Sequence, residues 1–188
     1  MDAFLTSTAV VALAEIGDKT MLLAIVLATR FRRPLPIIFG ILFATLANHA
    51  FAAFVGSAAA GILQGDWFRY IVAASFILMA GWTLVPDKLD DEEQKPARFG
   101  AFLTTLIAFF LVEMGDKTQL ATIALGARFE NVALVASGTT LGMMIANVPV
   151  VFFGNELVKR VPLKIVRMIA ASLFLLIGAW LLIETWVH

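Results

Sequence analysis

Long apolar stretches separated by short polar breaks dominate the chain. Six stretches have roughly 20 or more residues, the length that crosses a bilayer as a helix. None shows the strict alternation of a half-buried strand, so they predict helices rather than strands. The breaks combine charges with glycine or proline, as helix ends do. The stretches are Ala3–Ala28, Leu35–Leu63, Trp67–Val85, Phe99–Leu125, Val132–Phe153 and Val161–Trp186.

The composition places these helices in a membrane. Hydrophobic residues make up 61% of the 188 positions, charged residues only 15%, and the mean hydropathy is +0.91. A soluble globular domain does not have this composition. The predicted fold class is therefore an all-α integral membrane protein with six transmembrane helices in contact with lipid, because a backbone in hydrocarbon must satisfy its own hydrogen bonds.

The chain contains an internal repeat at an offset of 98 residues. The hexapeptide Glu15-Ile-Gly-Asp-Lys-Thr20 returns as Glu113-Met-Gly-Asp-Lys-Thr118, and 15 of the 29 residues of segment 3–31 recur at this offset. The sequence thus predicts two three-helix units, 1–86 and 99–188, joined by an acidic cytoplasmic linker, 87–98. Three is an odd number, so the second unit enters the membrane from the opposite side. Inverted repeats of this kind are typical of secondary transporters, whose substrate site lies near the midplane between the repeats.

Basic residues orient the predicted helices. The breaks after the first, third and fifth stretches, with the residues that flank them, carry ten lysines and arginines, whereas the other side carries only Arg69 and Arg128. Because cytoplasmic loops are enriched in basic residues, both termini are expected on the non-cytoplasmic side. The first stretch has no basic segment before it, so no cleaved signal peptide is expected.

Several kinds of chemistry are excluded by the residue types present. The chain has no cysteine, which removes disulfides and thiolate metal sites, and only His49 and His188 offer imidazole. Any bound metal should therefore accept oxygen ligands. The net charge of +0 gives no indication of nucleic-acid binding, no resident cofactor is predicted, and the oligomeric state is left open.

The duplicated motif supplies a candidate metal site. In a regular helix Glu15 and Asp18 share one face, and Glu113 and Asp116 repeat this spacing. Charge in the middle of a membrane helix costs about 2.5–3.5 kcal/mol per residue, so these residues need partners or an ion. We predict that the four carboxylates meet near the midplane and bind a hard divalent cation such as Ca²⁺, Mg²⁺ or Mn²⁺.

Lys19 and Lys117 complete the charge balance of the two motifs. Four ionised acids and two lysines sum to −2, which one divalent cation would neutralise. The lysines are interpreted as internal counter-charges; the structural alternative is that each forms an intrahelical ion pair with Glu15 or Glu113. Crowded carboxylates should also take up protons when the metal leaves. Competition between metal and proton for the same oxygens is the minimum requirement for antiport.

Two further positions of each motif admit two interpretations. Gly17 and Gly115 either break the helix, freeing backbone carbonyls toward an ion, or allow close helix packing. Thr20 and Thr118 either donate to a carboxylate or bond back to their own helix, which is common for threonine in membranes.

Other polar residues within the stretches are candidates for auxiliary ligands or a gate. Gln119 follows the second motif and has no polar counterpart in the first half. Asn48, His49 and Asn147 lie in the middle of the second and fifth stretches, and His49 and Asn147 are equivalent at the offset of 98. The alternative for each is a hydrogen bond between helices. Met143 is expected to pack.

Two E-x-G-D-[KR]-[ST] motifs in inverted three-helix halves resemble the cation/proton exchanger family that includes bacterial MneA-type manganese exporters and Golgi manganese/calcium transporters. The resemblance covers essentially the whole chain and includes Gln119-Leu120 after the second motif. It implies Mn²⁺ export, or Ca²⁺/Mn²⁺ exchange for H⁺, with Glu15, Asp18, Glu113 and Asp116 as cation ligands. The compact length is similar to that of the bacterial members, which implies the cytoplasmic membrane.

The predicted function is therefore a secondary transporter that exports Mn²⁺, and possibly also Ca²⁺, in exchange for H⁺ by alternating access. A passive divalent-cation channel is the first alternative, and a membrane enzyme that uses the buried carboxylates is the second. An enzyme is not favoured, because no nucleophile stands beside the acids.

Overall fold

The computed structural model describes residues 1–63, 65–85, 99–154 and 162–187, and all regular structure in these ranges is helical. This confirms the all-α class predicted from the apolar pattern. The acidic linker predicted at 87–98 lies outside the described residues. The helices are α1 (Asp2–Glu15), α2 (Lys19–Phe31), α3 (Pro34–Ile62), α4 (Asp66–Thr83), α5 (Ala101–Glu113), α6 (Lys117–Phe129), α7 (Val132–Phe153) and α8 (Leu163–Val187).

The first and fourth predicted helices are each interrupted at the duplicated motif. The chain leaves α1 through Ile16 in an extended conformation and passes Gly17 at a φ of +87° before α2 begins. Met114 and Gly115, at a φ of +78°, repeat this path between α5 and α6. Of the two interpretations of Gly17 and Gly115, the structure has the helix break, because glycine readily adopts the positive φ that ends a helix. Glu15 and Asp18 therefore do not share one face of a regular helix.

Within the described ranges, three helices, α3, α7 and α8, are long and apolar enough to cross a membrane, and α5 is a shorter apolar helix. The predicted third span, Trp67–Val85, corresponds to α4. Large apolar side chains such as Phe51, Leu176 and Trp180 are exposed on the outside of the bundle by 64–69%. A water-soluble protein rarely exposes large contiguous apolar surface, so this surface identifies a protein embedded in lipid.

Helices α3 and α7 pack against each other, and each also holds the half-helices of the opposite half of the chain: α7 packs on α1, and α3 packs on α5 and α6. A Cβ placed on Gly40 of α3 would lie 2.9 Å from the carbonyl of Phe102. The equivalent Gly138 of α7 meets the carbonyl of Phe4, which is the equivalent of Phe102, at 2.5 Å. The contacts between the halves are therefore reciprocal, and small residues let the backbones approach.

Helices α4 and α8 pair with each other at the edge of the bundle. Gly178 of α8 receives the backbone of Ala73 and the side chain of Ile77, and the buried rings of Phe76 and Phe174 lie 6.2 Å apart. Because α8 contacts α1 and α4 contacts α6, this pair supports one half-helix from each interrupted span. The two helix breaks are thus held in the middle of the bundle.

Candidate metal-binding site

Each helix break places one carboxylate at the end of a helix and another at the start of the next. Glu15 is the last residue of α1 and Asp18 caps α2, where its Oδ1 accepts a hydrogen bond of 2.7 Å from the backbone N–H of Lys19. Glu113 and Asp116 occupy the same places around the second break. The negative ends of the α1 and α5 dipoles favour a cation beside the glutamates, while the positive ends of α2 and α6 favour ionised aspartates.

Three of the four predicted carboxylate ligands come together. Glu15, Glu113 and Asp116 each contribute an oxygen, and these three oxygens lie within 4.8 Å of one another. All three side chains are buried, with at most 3% exposed. Asp18 is equally buried but is not part of this triplet, and its Oδ1 faces Lys117. A buried, oxygen-only cluster has the ligand chemistry of a hard divalent cation.

The motif lysines pair with aspartates across the two halves. Lys19 Nζ lies 3.6 Å from Asp116 Oδ1, and Lys117 Nζ lies 3.4 Å from Asp18 Oδ1. The intrahelical pairs with Glu15 and Glu113, considered as a structural alternative, require a continuous helix that the glycine breaks remove. The closest ion pairs of the two lysines are therefore with the aspartates of the opposite motif.

Both motif threonines donate to the glutamate of their own motif. The hydroxyl of Thr20 donates to Glu15 Oε2, and that of Thr118 donates to Glu113 Oε1. Thr118 also lies 3.3 Å from Asp116 Oδ2. Of the two alternatives for these threonines, the structure has the hydrogen bond to the carboxylate. Such a bond holds one oxygen of each glutamate, and the other oxygen, Glu15 Oε1 or Glu113 Oε2, is buried without a hydrogen bond from the described residues.

The middles of α3 and α7 contribute one polar side chain each to the opposite glutamate. His49 Nε2 of α3 lies 3.3 Å from Glu113 Oε1, and Asn147 Nδ2 of α7 lies 3.5 Å from Glu15 Oε2. Both side chains are fully buried. The two positions that are equivalent at the offset of 98 are therefore equivalent in space as well.

Asn48 and Gln119 meet each other instead of the carboxylates. The amide of Gln119 donates to Asn48 Oδ1, and Asn48 Nδ2 lies 3.3 Å from the carbonyl of Phe110. Gln119 Oε1 accepts a hydrogen bond of 2.7 Å from the backbone N–H of Gly115. Since both amide oxygens have donors, these residues hold the second break in place, and the structure does not bring them to the triplet.

Met143 contacts Asn147, the side chain that approaches Glu15, although the sequence predicts only packing for it. Its Sδ is 2.9 Å from Asn147 Nδ2, which in turn is 3.5 Å from Glu15 Oε2. The repeat contains a signal that could have found it: the equivalent of Met143 in the first half is the polar Thr45. A position that changes from polar to apolar between two copies marks a chemical difference between the two sides of the site.

The pairing of lysines with aspartates locates the negative charge of the site. Two Lys–Asp pairs are neutral, so the formal −2 of the motifs falls on Glu15 and Glu113. Among the described residues, Glu15 Oε1 and Glu113 Oε2 are buried and accept no hydrogen bond. Two buried, uncompensated carboxylates are strongly unfavourable without a counter-ion. One divalent cation between them would supply the missing charge.

Comparison with known proteins places the chain among cation transporters. The family model described as "Divalent cation/proton antiporter GDT1" matches residues 3–91 and 101–188. A protein of Vibrio cholerae serotype O1 named "Putative manganese exporter" is 51% identical over 95% of this chain and 89% of its own length. No solved structure gives a significant match.

More distant relatives cover the chain equally well. A protein of Arabidopsis thaliana named "GDT1-like protein 5" is 29% identical over 95% of this chain and 94% of its own length. A protein of Synechocystis sp. named "GDT1-like protein sll0615" is 27% identical over 94% of each. The similarity therefore extends over both halves and both motifs.

Proposed function

The chain belongs to the GDT1 family of divalent cation/proton antiporters, and from this premise we propose that it exports Mn²⁺ across the membrane in exchange for H⁺. The observation that carries the proposal is the pair of buried glutamates, Glu15 and Glu113, whose charge the neighbouring Lys–Asp pairs leave uncompensated. As a family of transporters, these relatives are not enzymes. The membrane enzyme considered above is therefore set aside.

We further propose that the chain crosses the membrane six times as two inverted halves. The reciprocal contacts of Gly40 and Gly138 support this topology, because each glycine meets the equivalent phenylalanine of the other half, as a twofold relation between the halves requires. In this topology α1 with α2, and α5 with α6, each form one interrupted span. Broken helices at the midplane are the usual ion-binding elements of inverted-repeat transporters.

The proposed orientation follows from the basic residues. Arg30, Arg32 and Arg33 lie at the end of α2, on the side proposed to be cytoplasmic, whereas Arg69 and Arg128 lie on the opposite side. Both termini are then non-cytoplasmic. The Vibrio cholerae relative supports the bacterial cytoplasmic membrane as the location.

For export, the site must return to the cytoplasmic side after it has released the cation, and its charge on the return must differ from that of the empty, ionised site. A site with two buried anions is costly to reorient through hydrocarbon without the cation. Protons from the non-cytoplasmic side can take the place of the metal on the glutamates, so one Mn²⁺ leaves as protons enter. The residues proposed to bind the cation are Glu15, Glu113 and Asp116. Asp18, the fourth motif carboxylate, is instead paired with Lys117.

Mn²⁺ is proposed ahead of Ca²⁺ because the most similar of the relatives described above carries manganese in its name. Both ions accept carboxylate oxygens, so Ca²⁺ is retained as a second substrate to be tested. A passive channel remains the alternative function. It is disfavoured by the crossed ion pairs, because buried fixed charges paired between the two halves are not features that a water-filled pore requires.

Transport in proteoliposomes tests the proposal. Purified protein is reconstituted, and uptake of Mn²⁺, Ca²⁺ and Mg²⁺ is measured with an acidic lumen and with equal pH on both sides. We expect saturable Mn²⁺ uptake that the acidic lumen accelerates, accompanied by alkalinisation of the lumen. Glu113→Gln should abolish uptake, and Asp66→Asn, which removes an exposed carboxylate at the start of α4, should not. Uptake that is indifferent to the pH gradient would reject antiport, and uptake that does not saturate would favour a channel.

A further inference from the structure

We propose that the thioether of Met143 is a specificity-determining ligand, which approaches the transported cation from the Glu15 side and favours softer ions over Ca²⁺ and Mg²⁺. This inference rests on the proposed function, because it concerns the ion that the same site carries. It adds a sulfur donor to a site whose motifs supply only oxygen, and it names the side from which that donor comes.

The first argument is the position of the sulfur. Met143 is fully buried in the middle of α7, one helical turn before Asn147. Its Sδ lies 2.9 Å from Asn147 Nδ2, and the same nitrogen lies 3.5 Å from Glu15 Oε2. One amide group thus separates the sulfur from a candidate ligand oxygen. Methionine is unbranched and flexible, so its sulfur can change position on the Glu15 side of the site without movement of α7.

The second argument is that two buried oxygen atoms on this side of the site have no hydrogen-bond partner within the described ranges and are available to bind a cation. Asn147 Oδ1 and Glu15 Oε1 are buried, and neither accepts a hydrogen bond from the part of the chain that the structure describes. A buried amide oxygen without a donor is costly. A cation on this side would satisfy both oxygens, with Met143 Sδ as the neighbouring third donor.

The third argument is the asymmetry between the two sides of the site. The positions equivalent to Met143 and Asn147 in the first half are Thr45 and His49, both buried. Next to the motifs, the buried Met21 corresponds to Gln119. At these three positions the Glu15 side therefore has two thioethers and an amide, where the Glu113 side has a hydroxyl, an amide and an imidazole. Packing alone does not require this difference, since the two halves hold each other through reciprocal contacts.

The difference in donor atoms between the two sides of the site would affect which metal ions bind. Ca²⁺ and Mg²⁺ prefer oxygen and gain little from a thioether, whereas sulfur ligands favour softer metal ions. When a hard ion exchanges a water ligand for the thioether of Met143, it exchanges a strong ligand for a weak one. A softer ion binds the thioether well and loses little by the same exchange. Cd²⁺ and Ca²⁺ are nearly equal in size but differ greatly in softness, so the pair separates this effect from the size of the site.

Competition by Cd²⁺ and Ca²⁺ against Mn²⁺ uptake in proteoliposomes tests the inference. In Met143→Leu, which conserves volume, we expect the concentration of Cd²⁺ that halves Mn²⁺ uptake to rise about tenfold, as loss of one ligand of about 1.4 kcal/mol would produce. Inhibition by Ca²⁺ should change less than about twofold, since a thioether adds little for that ion. Met144→Leu, at the partly buried neighbouring position that packs against the core, is the matched control and should leave both values unchanged.

Met143→Thr, which copies the equivalent residue of the first half, should shift preference toward Ca²⁺ further than Met143→Leu does. X-ray absorption of Cd²⁺ bound to the purified wild-type protein provides a measurement that needs no variant, and a Cd–S distance is expected. An unchanged Cd²⁺ to Ca²⁺ ratio in Met143→Leu, or a cadmium site with oxygen and nitrogen alone, would overturn the inference while Mn²⁺ transport stands. Absence of metal transport by the wild type would overturn the proposed function itself.

Discussion

Lys117 Nζ lies 3.4 Å from Asp18 Oδ1, although the two residues come from different copies of the motif and stand 99 positions apart in the chain. The reciprocal pair joins Lys19 to Asp116 at 3.6 Å. Each half thus supplies the counter-charge for the other. Variants of these crossed Lys–Asp pairs should therefore change both stability and transport.

Removing one member of a crossed pair should be far more damaging than removing both. Lys117→Met leaves Asp18 buried without this lysine, and loss of one partner of a buried pair costs about 3–5 kcal/mol. We expect a large fall in the midpoint of thermal unfolding in detergent. Asp18→Asn combined with Lys117→Met should recover much of that loss. Lys19→Met should be milder, because the Lys19 side chain is 21% exposed whereas that of Lys117 is 3% exposed. Strictly additive effects in the double variant would contradict the pairing.

Each motif aspartate should be essential for transport. Asp18→Asn or Asp116→Asn removes the anionic partner of a motif lysine. Asp116→Asn also removes a member of the carboxylate triplet. Each variant should unfold at a lower temperature, as for any single loss from a crossed pair, and should fail to lower cellular Mn²⁺ even when its amount in the membrane is matched to that of the wild type. Asp66→Asn serves as the control for the loss of a carboxylate elsewhere. Robust Mn²⁺ efflux by either motif variant would exclude a site shared between the halves.

The hydroxyl of Thr20 should act through Glu15. Thr20→Val keeps the shape of the side chain but removes the hydrogen bond to Glu15 Oε2, and a bond to a charged group contributes about 1.5–3 kcal/mol. We expect Mn²⁺ affinity to fall by about tenfold or more, as such an energy implies. Thr20→Ser retains the hydroxyl and should restore most of the affinity. Equal affinities for the two variants would show that the hydroxyl does not orient the glutamate.

The helix break at Gly115 offers a test of backbone conformation alone. Its φ is +78°, and a Cβ at this position would meet no atom within 4 Å among the described residues. Gly115→Ala should therefore cost about 1–2 kcal/mol, the strain of a left-handed residue with a side chain. Gly115→Asn should cost less, because asparagine tolerates this region. Thermal unfolding of the two variants gives the comparison, and a neutral Gly115→Ala would argue against the break.

Gly40→Ala and Gly138→Ala should destabilise the protein to a similar extent. Their Cβ atoms would approach the carbonyls of Phe102 and Phe4 to 2.9 and 2.5 Å, and overpacking of this kind costs about 1–3 kcal/mol. Gly81→Ala is the control, because a Cβ there would meet nothing within 4 Å. If Gly81→Ala lowered the unfolding midpoint as much as the other two, close approach of the helices would not be the cause.

The sequence identified the acids of the site because charge in an apolar stretch is conspicuous and because the motif occurs twice. It did not determine the backbone conformation between Glu15 and Asp18, since a glycine in a membrane helix is compatible with both close packing and a helix break. The crossed lysines could not be predicted from local spacing, which instead indicated pairs within one helix. The contacts of Gln119 and Met143 could not be predicted for a similar reason: which side chain approaches a glutamate depends on how α3 and α7 place their side chains, and that is a property of the assembled bundle.

The reciprocal packing of Gly40 and Gly138 has a consequence for the origin of the chain. A single half would expose the groove that receives the opposite half and would bury a lysine without its aspartate. Two identical copies could complete such a structure only by inserting in opposite directions and forming an antiparallel dimer. Duplication would free each copy to diverge, and the difference between Thr45 and Met143 at equivalent positions is a change that two identical copies could not acquire on one side of their ion site alone.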